Sequence, residues 1–336
     1  MSAVRPLAVS LGDPAGVGPQ VGVSAIATLR QTDAFVVFGD GPRLARAFEA
    51  AGVPLRTEAH APGDVTVIDV ARWSDATIAA RAPTPEGGRD QLVALDAAID
   101  VVARGEARAL VTGPVSKAAI TSAGVEFVGH TERLAQRAGL DDDGVTMLFL
   151  GPRLRVGLVT THLSVRDAAA AVTQARVRRT IAHVVEACHA LGLPRPKVEV
   201  TGVNPHAGEG GLFGDEESRA VAPAIRASAS LVAELLGPMP AEASFRRAAA
   251  GTCDAVVTML HDQATIASKL LDWGGRERDV GFALRAHQRG PRCGVRRGGG
   301  WQRRRRRHAC RRHDGDATVA PMSTERFARS AALASV

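Results

Sequence analysis

Short β-branched runs that break into glycine, histidine or lysine, separated by stretches of helical spacing, most restrict what this 336-residue chain can fold into. Leu7-Ala-Val-Ser-Leu11 leads into Gly12-Asp-Pro-Ala-Gly-Val-Gly-Pro19 and then an alanine-rich stretch, predicted helical over 20–30. A second run, Ala34-Phe-Val-Val-Phe-Gly39, precedes a predicted helix over 42–51, and Val65-Thr-Val-Ile68 reads as a third strand. The spacing of Leu92, Leu95, Ala98 and Val101 predicts a helix over 90–104, followed by the strand Ala109-Leu-Val-Thr112. Runs of four to six apolar residues suit buried strands, and the longer periodic stretches suit the helices that cross between them. Alternation of this kind predicts an α/β fold with parallel strands, in a chain long enough for two domains.

Where each run ends matters more than the run. In an open α/β sheet, polar groups just past the carboxyl ends of parallel strands face the ligand. Lys117 follows Ala109-Leu-Val-Thr112 and is a candidate for an anionic group, with a solvated lysine as the plain alternative. His162 follows Arg155-Val-Gly-Leu-Val-Thr-Thr161, His206 follows Val198-Glu-Val-Thr201, and His261 follows Ala255-Val-Val-Thr-Met-Leu260. A parallel sheet would set all three histidines along one edge, and three neutral imidazoles suit a divalent ion such as Zn²⁺, Co²⁺ or Mn²⁺. Asp167, Glu209 and Asp262 could orient the imidazoles from behind. The Gly12 loop and the 202–216 loop each read equally as a ligand wall or a glycine turn. Thr131 or Glu132 could cap a helix over 133–138. His183 and His189, in a helix predicted over 177–191, read as ordinary surface or interface residues. A break is expected at Gly237-Pro-Met-Pro240.

Composition removes several classes. Four scattered cysteines, Cys188, Cys253, Cys293 and Cys310, form no C-x-x-C pair, which argues against a disulfide framework or a zinc knuckle. No signal-like start and no run of about 18 apolar residues is present, so a cytoplasmic protein away from the membrane is expected. The net charge of +7 is misleading: from Arg276 to Val336 there are 16 Arg and 5 Asp or Glu, a net of +11, leaving −4 for residues 1–275. Nucleic-acid binding is therefore expected at most non-specifically, through that tail.

Six collinear motifs carry a resemblance: G-D-P-A-G-V-G-P at 12–19, T-G-P-V-S-K at 112–117, G-H-T-E at 129–132, T-H-L-S-V-R-D at 161–167, N-P-H-A-G-E-G-G at 204–211 and H-D-Q at 261–263. Over about residues 6–275 the chain resembles the 4-hydroxythreonine-4-phosphate dehydrogenase family of pyridoxal phosphate synthesis. The resemblance implies a two-domain α/β fold of the isocitrate and isopropylmalate dehydrogenase type, with parallel and mixed sheets and the active site in the interdomain cleft. It further implies a homodimer sharing its active sites, a phosphorylated hydroxy-acid substrate, NAD or NADP as hydride acceptor, and a divalent metal (Zn, Co, Mg or Mn). By the family pattern His162, His206 and His261 match the metal ligands, and His130, Thr131 and Lys269 match substrate contacts. The domains are expected at 1–125 and 126–275. Ser116 stands where relatives often have histidine, Glu242 where they have aspartate, and Ala264 where H-D-Q-G is usual. Relatives on this scaffold oxidise threonate or erythronate 4-phosphate, or aromatic cis-diol carboxylates, so these are alternative substrates. An inactive or binding protein with a basic tail is the alternative from another class.

The segment 276–336 does not continue the family pattern. Arg303 to Arg307 is an unbroken arginine run beside Gly298 to Gly300, which reads as a disordered basic arm. Codons can, however, be chosen for Arg276 to Arg292 that, read one base later, give V-N-V-T-L-G-L-P-F-V-R-T-S-V-D-H, the continuation that family members show. The first two bases of most of these codons are fixed, so the match points to a frameshift after about Gly275. Loss of the family's later substrate contacts, and of the C-terminal segment that completes the first domain, is then expected to impair solubility or activity.

Overall fold

The computed structural model describes residues 5–139, 145–151, 153–272 and 281–286. Its strands form two sheets. The first contains β1 (Leu7–Ser10), β2 (Phe35–Gly39), β3 (Val65–Asp69) and β4 (Ala109–Thr112), all parallel in the order β3-β2-β1-β4. Parallel strands are joined by helices that cover both faces, which is why their sequences read as continuous apolar runs. On one face, α1 (Gly18–Leu29) and α2 (Gly41–Ala50) bring Val23, Ile26, Leu44 and Phe48 onto Leu7, Val9, Phe35 and Val37. On the other, α4 (Pro85–Ala103) packs Ala94 and Ala98 on Ala8 and Phe38. Phe35 and Phe48 are fully buried, each contributing about 1.5–3 kcal/mol. The short α3 (Asp75–Ala80) precedes α4.

Helix α4 starts five residues earlier than its periodicity predicts, because Thr84 caps it by accepting from the Gly87 amide. Gly87 and Gly88, which look like helix breakers, lie inside it. A Cβ on Gly88 would stand 2.1 Å from the Ala119 carbonyl, so the glycine permits close approach of α5 (Lys117–Ser122).

The second sheet has the order β10-β5-β6-β9-β7-β8. Its strands are β5 (Val145–Leu150), β6 (Arg155–Leu158), β7 (Lys197–Thr201), β8 (Glu234–Met239), β9 (Ala255–Thr258) and β10 (Gly281–Ala286). Neighbours among β6, β9, β7 and β8 are parallel, whereas β5 is antiparallel to both β6 and β10. One face is covered by α8 (Gln174–Ala190) and α9 (Ala222–Ala227), the other by α10 (Ala241–Ala249) and α11 (His261–Asp272). Between the sheets, α6 (His130–Ala138) is tied to α4 by Arg133 to Asp96 and Arg137 to Asp96 and Asp100. The strands thus divide on either side of residue 126, and the α/β class with parallel and mixed sheets is as expected.

Three sequence readings change. The Gly237-Pro-Met-Pro240 break is the end of strand β8, which sequence reasoning missed; an edge strand tolerates proline because its outer N–H groups need no partner. His183 is buried rather than superficial, 3% exposed, with Nδ1 2.7 Å from the Thr146 hydroxyl. The segment after Gly275, expected to lack regular structure, supplies β10 along β5, where alternating Phe282 and Leu284 have strand periodicity. The rest of 276–336, including the arginine run, lies outside the described residues.

Candidate active site at the strand ends

The three histidines follow adjacent parallel strands: His162 after β6, His261 after β9 and His206 after β7. β9 lies between the other two, so His261 is the central member of the row. Hydrogen-bonded strands lie about 4.8 Å apart, which sets the lateral spacing of groups at such an edge. The rings of His162 and His261 have centroids 5.8 Å apart, tilted by 50°. Two imidazoles on one ion, with Zn–N bonds of about 2.0–2.1 Å, have centroids about 5–6 Å apart, so the pair fits a shared ion. His206 is less simply placed: it stands beside Phe213, centroids 6.5 Å apart, and no three His, Cys, Asp or Glu side chains converge at metal distance among the described residues.

Each imidazole is set by local structure. His261 is the first residue of α11, and Asp262 Oδ1 lies 2.8 Å from its Nδ1, leaving Nε2 for a ligand. Asp262 therefore sits on the Nδ1 side of the ring. Asp167 is engaged elsewhere: it closes the N-terminal turn of α7 (Val165–Ala171), where Ser164 Oγ donates to its carboxylate at 2.6 Å and accepts from its amide. Glu209 is exposed, with left-handed backbone (φ 45°).

The loop carrying His206 has the least ordinary backbone among the described residues. Residues 206–210 all have positive φ, from 45° to 83°, and three of them, His206, Ala207 and Glu209, are not glycine. Left-handed conformation costs about 1–2 kcal/mol for each such residue, so surrounding contacts must hold the turn. Two side chains grip its base. Glu217 Oε1 accepts from the amides of Val203 and Asn204, both at 2.8 Å, while Oε2 accepts from Asn204 Nδ2 at 3.0 Å. Gln263 Oε1 accepts from the amides of Met259 and Leu260, and its Nε2 donates to the Gly202 carbonyl at 3.1 Å. Gln263 therefore ties the end of β9 to the end of β7. Neither residue stands out as a site residue in the sequence, although Gln263 falls inside the H-D-Q motif at 261–263.

The other candidates form a second corner, past the end of β4. Lys117 and Gly129 are neighbours: a Cβ on Gly129 would be 3.8 Å from Lys117 Nζ. His130 begins α6, where Gly129 is the N-cap and no side chain caps the helix, so neither Thr131 nor Glu132 serves as the cap. His130 Nε2 is buried without a hydrogen-bond partner. Burial first, and the Lys117 charge second, hold the His130 imidazole below its ordinary pKa, against an opposing pull from Glu132. A neutral ring with an open nitrogen can bond an alcohol or carboxylate group. Thr131 is half-buried in the same turn, and Lys269 is exposed on α11. Ser116, at the family's frequent histidine position, caps α5 by accepting from the Ala119 amide. Two glycines of the 12–19 loop are occupied with packing: Cβ atoms on Gly12 and Gly18 would lie 2.1 and 2.0 Å from the carbonyls of Pro114 and Leu11. That loop is therefore a packing turn at these positions.

Comparison with known proteins adds to this geometry. The family described as pyridoxal phosphate biosynthetic protein PdxA matches residues 31–278. A 4-hydroxythreonine-4-phosphate dehydrogenase of Geobacter metallireducens is 37% identical over 275 residues, 79% of this chain and 80% of that protein. A protein of Symbiobacterium thermophilum named for D-threonate 4-phosphate dehydrogenation is 36% identical over 280 residues, covering 80% and 83%. Among solved structures, a 4-hydroxythreonine-4-phosphate dehydrogenase from Burkholderia phymatum superposes with a TM-score of 0.69 at 32% identity, covering 82% of this chain and 84% of that one.

Proposed function

The chain belongs to the pyridoxal phosphate biosynthetic protein PdxA family, and from that premise we propose that it is a metal-dependent, NAD(P)-linked dehydrogenase of 4-hydroxythreonine 4-phosphate. The observation that carries the metal reading is the His162–His261 pair at 5.8 Å, on adjacent parallel strand ends. His162 and His261 would hold a divalent ion (Zn, Co, Mg or Mn), and His206, from the next strand end, would supply the third imidazole. When bound, the ion supplies Lewis-acid polarisation of a substrate oxygen. NAD or NADP, when bound, would supply the hydride acceptor for oxidation of the secondary alcohol, and the 3-keto acid so formed would lose CO₂. His130 and Thr131 would hold the substrate from the β4 corner, with Lys117 and Lys269 answering the phosphate or carboxylate charge.

Large apolar residues follow each histidine and are exposed: Leu163 and Val165, Leu212 and Phe213, Ile266 and Leu270. Exposed apolar side chains of this kind, in the strand-end loops and on α11, support a homodimer in which a second copy covers them. A cytoplasmic enzyme is consistent with this reading, and among the described residues no helix is long and apolar enough to cross a membrane. The family match ends at residue 278, close to the point where the alternative frame begins, which supports the frameshift and an enzyme impaired in this form.

The test is NAD⁺ and NADP⁺ reduction by the chain as written and by a frame-restored gene, with 4-hydroxythreonine 4-phosphate, D-threonate 4-phosphate and a cis-diol carboxylate as substrates. Turnover of the first, stronger in the restored form, is expected. Turnover of D-threonate 4-phosphate alone would favour the second reading, for which the Symbiobacterium relative speaks. Absence of turnover in both forms would overturn the assignment, and an active, stable enzyme from an intact arginine-rich frame would overturn the frameshift.

A further inference from the structure

We propose that Glu217 is a positioning residue for His206, acting as the buried template around which the loop at 202–208 folds. This rests on the reading of His206 as a metal ligand and identifies what holds it. Glu217 is 6% exposed, and its carboxylate is met by amide donors rather than by a cation: Val203 N, Asn204 N and Asn204 Nδ2. Asn204 Nδ2 also donates to Glu216 Oε2 at 2.7 Å, which completes the fastening of that side chain.

The glycines of the loop supply an independent observation. A Cβ on Gly202 would lie 2.8 Å from Glu217 Oε1, and one on Gly208 would lie 2.7 Å from Glu217 Oε2. Gly202 and Gly208 bracket His206 in sequence, so the chain passes one carboxylate oxygen before the histidine and the other after it. Both lack a side chain where the carboxylate sits. Glu217 reaches this position from a single π-helical turn, Glu217–Val221, inserted ahead of α9. Such insertions re-aim a side chain at a functional site at the expense of regular helix geometry. The left-handed backbone of 206–210 needs contacts that hold it, and Glu217 bonds the chain just before it, at Val203 and Asn204, and packs against Gly208 within it.

The experiment compares the full chain with Glu217→Gln, Glu217→Ala, His206→Ala and the His206→Ala/Glu217→Ala double variant. The measurements are Co²⁺ affinity by chelator competition, the visible Co²⁺ spectrum, and amide hydrogen exchange over 203–210. Glu217→Ala is expected to weaken Co²⁺ binding at least tenfold, alter the spectrum and speed exchange at Val203 and Asn204. Glu217→Gln, which keeps the shape and one acceptor oxygen, is expected to fall between it and the parent and covers the case in which the alanine variant does not fold. Because Glu217 acts through His206, the double variant should bind Co²⁺ no more weakly than His206→Ala. Unchanged affinity and spectrum, or full additivity in the double variant, would overturn the proposal. Should the parent chain bind no Co²⁺, the metal reading fails separately. The template is then judged by exchange alone: faster exchange upholds it and unchanged exchange rejects it.

Discussion

Two glycine-rich loops at strand ends look alike in sequence and do opposite work. The loop at 12–19, after β1, uses glycine so that backbone can touch backbone: Gly12 against Pro114, Gly18 against Leu11. The loop at 202–211, after β7, uses glycine to clear space for the Glu217 carboxylate, while His206, Ala207 and Glu209 adopt left-handed conformations that glycine would take without cost. In the first loop the rule of local propensity is obeyed and the reason is packing. In the second it is broken at non-glycine residues, and strain retained against propensity is what a site requires.

The sharpest way to break this contrast is to add a methyl group to each loop. Gly12→Ala combines φ +80° with a Cβ 2.1 Å from the Pro114 carbonyl, whereas Gly210→Ala has φ +69° and nothing within 4 Å. Chemical denaturation should show a loss of about 3 kcal/mol or more for Gly12→Ala and about 1 kcal/mol for Gly210→Ala. Equal losses would mean that both loops are packed alike. Next in size is Asp262→Asn, which leaves the Asp262–His261 contact in place as a weaker, neutral one. Metal affinity by chelator competition should fall about tenfold with little change in thermal stability. An unchanged affinity would place the ion away from His261.

The smallest effect concerns His130. Its folded-state pKa lies below the ordinary 6.5, so the unfolded chain takes up the proton first and stability is lost as pH falls below that value. Between pH 8 and pH 5 the melting temperature of the parent should drop further than that of His130→Gln. Parallel curves would show that the ring is not held neutral by its surroundings.

Much of the frame was legible because buried parallel strands must be continuous apolar runs: β1, β2, β4 and β9 were all read from their β-branched residues, and β4 was read to its bounds. The places that failed share a cause. Strand β8 was hidden by Gly237 and Pro238, of which the proline is tolerated because the strand lies at an edge, and the start of α4 by Gly87 and Gly88, of which Gly88 is explained by the approach of α5. Burial of His183 against Thr146 depends on a residue 37 positions away, beyond the reach of any local pattern.

The sequence by itself determined the α/β alternation, the placement of His162, His206 and His261 after strands, and the family, because these depend on periodicity and on ordered motifs along the chain. Only the tertiary structure decided that β6, β9 and β7 are neighbours, that His162 and His261 face each other while His206 sits on a strained turn, and that Glu217 and Gln263 grip that turn. The physical reason is that a hydrogen bond or a ring contact is set by proximity in space. Strand order, which brings distant segments side by side, is a property of the packed sheet and of no single stretch of residues.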